Sequence, residues 1–151
     1  MIYSNASIYK EIAEEAYSKM CLLLKKGRTP KDDGSGGYII KYDDTHNSFK
    51  QSMIVVVFTG MWLEAILHQL IVSRHGNDQF KKYDFKPYRE KLVLLGVSDS
   101  EILDKVDLFK ATRKELVHEK AFFDSGEIKV AQKEAELAHQ VISSVSHVLG
   151  I

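Results

Sequence analysis

SDSEILDKVDLFKATRKELVHEK, residues 98–120, is the stretch that decides the fold. Within it Ile102, Val106, Phe109, Arg113, Leu116 and Lys120 follow one another at spacings of 4, 3, 4, 3 and 4. Side chains at that spacing share one face of an α-helix, because each residue turns the chain by about 100°. The stretch is predicted as an amphipathic helix from Asp99 to about Phe122. A capping box opens it, with the Ser98 hydroxyl as cap and Glu101 reaching back. Arg113 occupies a stripe position where an apolar residue belongs. A guanidinium cannot lose its charge, so on a core-facing stripe it needs a carboxylate, a phosphate or trapped water. An imidazole, His118, follows five residues later.

The rest of the chain repeats the helical period. Tyr9, Ala13, Ala16, Met20 and Leu23 predict a first helix over Ser7–Lys26, stopped at Gly27. A long connection, residues 27–47, contains Gly34-Ser35-Gly36-Gly37 and reads as a flexible loop, with Tyr38 to Tyr42 as a short strand or hairpin arm. The second helix begins between Thr45 and Ser48, both suitable caps, and ends at His75-Gly76. Residues 76–84 read as a polar turn. Pro87 opens a shorter helix that runs to Leu95 and stops at Gly96. Asp124-Ser125-Gly126 is a turn. Ile128, Ala131, Ala135, Ala138, Ile142, Val145 and Leu149 then mark the last helix by alternating spacings of 3 and 4. Five helices with short connections after Asn47 predict an all-α, antiparallel bundle of four to five helices in one domain spanning residues 1–151.

Composition sets the outer limits. Of the 151 residues, 44% are hydrophobic and 28% charged, and 21 basic side chains balance 21 acidic ones. This zero formal charge predicts no whole-molecule steering toward nucleic acid and leaves room for a local basic patch. The single Cys21 rules out an intrachain disulfide, fits a reducing compartment, and is expected to pack as a small hydrophobe. Met1 to Glu15 lacks the apolar core of a signal peptide. The expected localisation is cytoplasmic. Met53 to Leu63 is almost wholly apolar, but Glu64, His68 and Gln69 interrupt the run before the roughly 20 residues of a membrane span. It reads as the central helix of a bundle, with no membrane partner.

Glu64 is the second anomaly. A carboxylate on that apolar helix needs a partner, and Arg113, which interrupts another core stripe, is the foremost candidate. His68, four residues on, is the local alternative. Arg113 and His118 do not share a face, since five residues place them about 140° apart around an ideal helix. A joint site then needs a wrapped Arg stem, a helix that ends or kinks near His118, or a second copy across a two-fold interface. In such a cleft Arg113 would hold phosphate oxygens and His118 would exchange a proton near neutral pH. RNA carries its own nucleophile in the 2′-hydroxyl, so neither metal nor cofactor is expected. His68 and His75 are too far apart along a helix to share a metal.

Two basic clusters stand out, Lys25-Lys26-Gly27-Arg28 with Lys31, and Lys81-Lys82 with Lys86, Arg89 and Lys91. The second alternates with Phe80, Tyr83, Phe85 and Tyr88, a mixture that suits stacking on unpaired bases. For most of these aromatics the favoured reading is that they anchor a short helix to the bundle.

At Arg113-Lys114-Glu115-Leu116-Val117-His118-Glu119 the chain resembles the HEPN superfamily, small helical bundles marked by an Arg-x4-6-His motif on a late helix. Leu63-Glu64-Ala65 is similar to the family's earlier helix. The resemblance spans the layout from Ser48 to Ile151 and is carried by these two segments. It implies a HEPN-like bundle and a metal-independent endoribonuclease acting as a homodimer, of the toxin or defence kind. An antitoxin protein would be a further partner. By that resemblance Arg113, His118 and Glu64 are the catalytic set. Lys114, Lys81, Lys82 and Arg89 are the candidate RNA contacts. Two positions depart from the family: active members carry a small polar residue where this chain has Lys114, and some toxin members carry a tyrosine where it has Lys120. The rival reading is a non-catalytic HEPN-like module that binds RNA or a partner protein. A third is a structural bundle in which Glu64 and Arg113 form a core ion pair.

Overall fold

The computed structural model describes residues 4–41, 43–117 and 131–151. His118, Glu119, Lys120, the Asp124-Ser125-Gly126 turn and Ile128 lie outside them. The described residues form six helices and one small hairpin: α1 Ala6–Lys26, β1 Arg28–Pro30, β2 Tyr38–Ile40, α2 Asn47–His75, α3 Asn77–Tyr83, α4 Tyr88–Leu94, α5 Ser100–Val117 and α6 Ala131–Leu149. The all-α expectation holds. The helix count rises by one because the expected polar turn after Gly76 winds into α3, whose Phe80 ring stacks on His68 of α2.

Side-chain contacts fix the helix directions. Tyr9 meets Phe58 and Lys10 lies over Trp62, whereas Met20 lies 3.0 Å from the Ser52 hydroxyl, so α1 and α2 run antiparallel. Gln132 reaches Ser48 and Lys10 reaches Ser146, which places α6 parallel to α2 and antiparallel to α1. Arg74 bonds the Leu95 carbonyl just ahead of α5, and Arg113 near the described end of α5 meets Glu64, so α5 opposes α2. The core is thus an up-down-up-down bundle of α1, α2, α5 and α6, with α3 and α4 laid across one end of α2.

Helix α2 is the axis. Val55, Val56, Leu63, Leu67 and Ile71 are fully buried and Trp62 nearly so. By length and composition α2 could cross a membrane, and half of its most apolar window is buried under neighbouring helices. Ala135 and Ala138, both fully buried, have no bulk to hold α6 away from α2. Each large side chain withdrawn from water here stabilises the fold by roughly 1.5–3 kcal/mol before the entropy of ordering is counted.

Several local details differ from expectation. The α5 cap is Asp99, not Ser98: its Oδ1 accepts the backbone N–H groups of Glu101 at 2.9 Å and Ile102 at 3.4 Å. The α2 start is held by Asp43, whose carboxylate accepts the N–H groups of Thr45 and Ser48. Its pKa is lowered, chiefly by the bond from the Thr45 hydroxyl. Cys21 is exposed, because it falls off the buried Ala13–Ala16–Met20 stripe. The hairpin arm expected over Tyr38 to Tyr42 is present as Tyr38–Ile40, with Tyr42 outside the described residues; its partner strand is unexpected, Arg28, Thr29 and Pro30 pairing antiparallel with Ile40, Ile39 and Tyr38 inside what read as a flexible loop. Gly34, Gly36 and Gly37 take positive φ at its tip, which side chains disfavour. Gly96 does end the fourth helix at φ 94°, with Val97 N–H returning to the Leu92 carbonyl.

Candidate functional site

The buried face of α5 is Leu103, Val106, Phe109 and Thr112. That face is rotated slightly from the expected stripe and leaves Arg113 on its shoulder. The Arg113 side chain keeps 28% of its surface exposed and Glu64 keeps 56%. The two do meet, with Nη1 3.5 Å from Oε1, at the wall of an open cleft rather than in the core. At that length the contact is an ion pair and not a hydrogen bond. A pair so open to solvent contributes at most about 1 kcal/mol. The core-ion-pair reading predicted both side chains buried, and they are not.

The cleft encloses about 820 Å³ between α2, the α3–α4 segment and α5. Lys86, Lys91, Lys110, Arg113 and Lys114 line it together with Glu64 and Asp84, so five cations face two carboxylates. A chain of zero net charge has thus gathered a local positive field, which raises the concentration of anions there. His68, Phe80, Phe85 and Tyr88 supply its aromatic lining. The His68 and Phe80 rings stack at 3.9 Å, and Phe85 stands 97% exposed at the rim.

Three features hold Arg113 in place. Buried Tyr88 donates its hydroxyl to Glu64 Oε1 at 2.7 Å, which orients the carboxylate. Lys110 lies over the Tyr88 ring, 5.7 Å from its centre. The third is Gly60 on α2: a Cβ there would sit 2.3 Å from Arg113 Nε and 2.7 Å from its Cδ and Cζ. Only glycine lets the Arg stem lie against the helix. Arg113 Nε is sealed in this contact and has no hydrogen-bond partner among the described residues. The outer guanidinium nitrogens therefore make the contacts that point to the cleft.

Lys91 is buried and donates from Nζ to the Asp84 carbonyl at 2.7 Å. Burial lowers its pKa, partly offset by Asp84 and Glu64. Tyr88 moves the other way. Burial first, and then the bond to Glu64, raise its phenol well above the ordinary 10.0. The folded protein keeps this proton at pH values where the unfolded chain has released it, so the unfolded state binds fewer protons and stability falls as pH rises above about 10. Denaturant midpoints measured from pH 8 to 11 should fall more steeply for the wild type than for Tyr88→Phe. Equal slopes would deny the coupling.

Of the residues expected at the site, Arg113, Glu64 and Lys114 come together here, and His118 lies outside the described residues. Lys81, Lys82 and Arg89 do not line the cleft. Lys81 is exposed and 3.6 Å from Asp78, and Lys82 is exposed. Arg89 is held by Asp104 and, at 2.6 Å, by Asp107, which ties α4 to α5. Tyr88 and Lys91 join the site from the second basic and aromatic cluster, and Gly60 and Lys110 join it without having been expected there. Lys110 shares the Arg113–Lys114–Val117 face by helical spacing, and Gly60 is a lone glycine inside a helix, so both left a signal. Among the described residues no group of three or more His, Cys, Asp or Glu side chains converges on one point.

No family model, curated protein or solved structure matches this chain.

Proposed function

We propose that the protein is a HEPN-like, metal-independent endoribonuclease that seats a phosphodiester of single-stranded RNA in the cleft between α2, α4 and α5. The observation that carries this reading is the oriented Arg113 at the wall of a cleft whose other cations are four lysines. Glu64 and Tyr88 position the guanidinium, and its outer nitrogens bind the non-bridging oxygens. Lys110 and Lys114 neutralise charge that builds up at phosphorus. His118 moves the proton. The imidazole takes it from the 2′-hydroxyl, whose oxygen attacks phosphorus. The imidazolium returns it to the departing 5′ oxygen, leaving a 2′,3′-cyclic phosphate and a 5′-hydroxyl. Phe85 at the rim and the Phe80–His68 stack offer faces for unpaired bases.

A second reading has its own observation. Lys114, which lines the cleft, replaces the small polar residue of active HEPN members, and an ammonium cannot accept a hydrogen bond. On that reading the cleft binds RNA, or a partner protein, without cutting. A toxin or defence role and an antitoxin partner rest on the family resemblance alone.

Titrating a fluorescent single-stranded RNA at several salt concentrations tests the site. Lys110→Ala with Lys114→Ala should weaken binding and flatten the plot of log K against log salt by about 0.7 for each phosphate no longer neutralised. Lys81→Ala with Lys82→Ala, outside the cleft, should leave affinity and slope near the wild-type values. Equal losses from both pairs, or no binding by the wild type, would move RNA away from this cleft.

A further inference from the structure

The hairpin carries a surface that the cleft does not use. Lys31 N–H bonds the Gly37 carbonyl and Lys41 N–H bonds the Gly27 carbonyl. With the register Thr29↔Ile39, these bonds turn the backbone groups of residues 27, 29, 31, 37, 39 and 41 inward. The N–H and C=O groups of Arg28, Tyr38 and Ile40 therefore point away from the hairpin, as does the carbonyl of Pro30. The two edges are unequal. Pro30 has no N–H, so the β1 edge is blunted in the way that edge strands are protected from further pairing. The β2 edge is a complete pairing edge. Its side chains are apolar and open to solvent: Tyr38 is 57% exposed, Ile39 61% and Ile40 75%.

We infer that this edge pairs with the same edge of a second copy, β2 against β2, about a two-fold axis at Ile39. The geometry is self-complementary. Antiparallel pairing about Ile39 sets Tyr38 opposite Ile40 of the second copy, and Ile40 opposite Tyr38. These are the two residues whose backbone groups point outward, so four hydrogen bonds close without a change of register. Ile39 faces its own copy as a non-hydrogen-bonded pair. Tyr38 of the second copy then stands on the same face as Ile40, which lines a groove of about 590 Å³ with Leu23, Leu24 and Phe49. Charge agrees. The hairpin tip carries Asp32 and Asp33 against one Lys31, and in the pair it lies beside the base of the other copy, where the exposed cations Lys25, Lys26, Arg28 and Lys41 outnumber Asp43 and Asp44. Gly36 and Gly37 keep that tip narrow where it passes the other copy. The hairpin joins the end of α2 that begins at Asn47, and the cleft lies some 15 residues on, about 22 Å along the helix. The hairpin contact is separate from the cleft, so this dimer stands whether or not the cleft binds RNA.

The experiment is analytical ultracentrifugation over a dilution series, with crosslinking as a second readout. The wild type should dimerise. Ile40→Pro removes an outward N–H and none of the bonds within the hairpin, and should weaken the dimer at least tenfold with unchanged helical circular dichroism. Ile39→Cys in a Cys21→Ser background should oxidise to a covalent dimer. A non-hydrogen-bonded pair holds its Cα atoms about 4.5 Å apart, inside the range of roughly 4.4–6.8 Å that a disulfide spans. A monomeric wild type at every concentration, a dimer unaffected by Ile40→Pro, or failure of the Ile39→Cys variant to crosslink would each overturn the proposal.

Discussion

If the cleft cuts RNA as proposed, Gly60→Ala should lower cleavage about 100-fold while the bundle stays folded. The added methyl would sit 2.3 Å from Arg113 Nε, and the middle of the stem, not a flexible tip, fills the space. The guanidinium must therefore leave the α2 wall, and a displacement of about 1 Å at a positioning group can cost roughly 100-fold in rate. Stability responds differently. Alanine gains about 1 kcal/mol of helix propensity over glycine. Against this stands the loosening of an exposed ion pair worth no more than about 1 kcal/mol. The melting temperature should change by only a few degrees. Cleavage assays and thermal melts on the same sample separate the two effects. Full activity in Gly60→Ala would show that the position of Arg113 does not matter.

His118→Ala removes the proposed proton carrier and should reduce cleavage by about 100- to 10,000-fold, the range that positioned acid–base groups contribute. Binding of a single-stranded RNA should hardly change, because the proposal assigns the phosphate contacts to Arg113, Lys110 and Lys114. Cleavage by the wild type should follow the titration of an imidazole, and the residual rate of the variant should not. A variant that binds and cleaves equally poorly would make His118 a binding group instead.

The fold is legible in the sequence where packing alone governs the chain. The α6 stripe reappears as buried Ala131, Ala135, Ala138, Ile142, Val145 and Leu149, because one wide apolar face leaves a helix only one way to dock. The α1 and α2 boundaries fall within a residue or two of expectation for the same reason. What escapes is decided across space. Residues 76–84 read as polar, yet α3 forms because Phe80 finds His68, a contact between elements that no local pattern encodes. Arg113 and Glu64 stand out as interruptions of apolar stripes, and their pairing follows from their need for partners. Their exposure does not, since a rotation of α5 by a fraction of a turn moves a side chain from core to cleft wall. Lys81, Lys82 and Arg89 form a charge run along the chain. Proximity in sequence does not aim side chains, and Arg89 spends its donors on Asp104 and Asp107. Tyr88 reads from sequence as a stacking ring or an anchor. Its hydroxyl bond to Glu64 depends on where α4 lies over α2.

The central claim is that this cleft cuts RNA without a metal. Its most direct test is cleavage of a single-stranded RNA in excess EDTA by wild type, His118→Ala and Lys114→Asn, each shown by circular dichroism to be folded. The account predicts cleavage by the wild type, with cyclic-phosphate ends, and its loss in His118→Ala. A folded wild type that leaves the RNA intact would contradict it. Activity appearing only in Lys114→Asn would then identify the cleft as a binding site whose catalytic step Lys114 has closed.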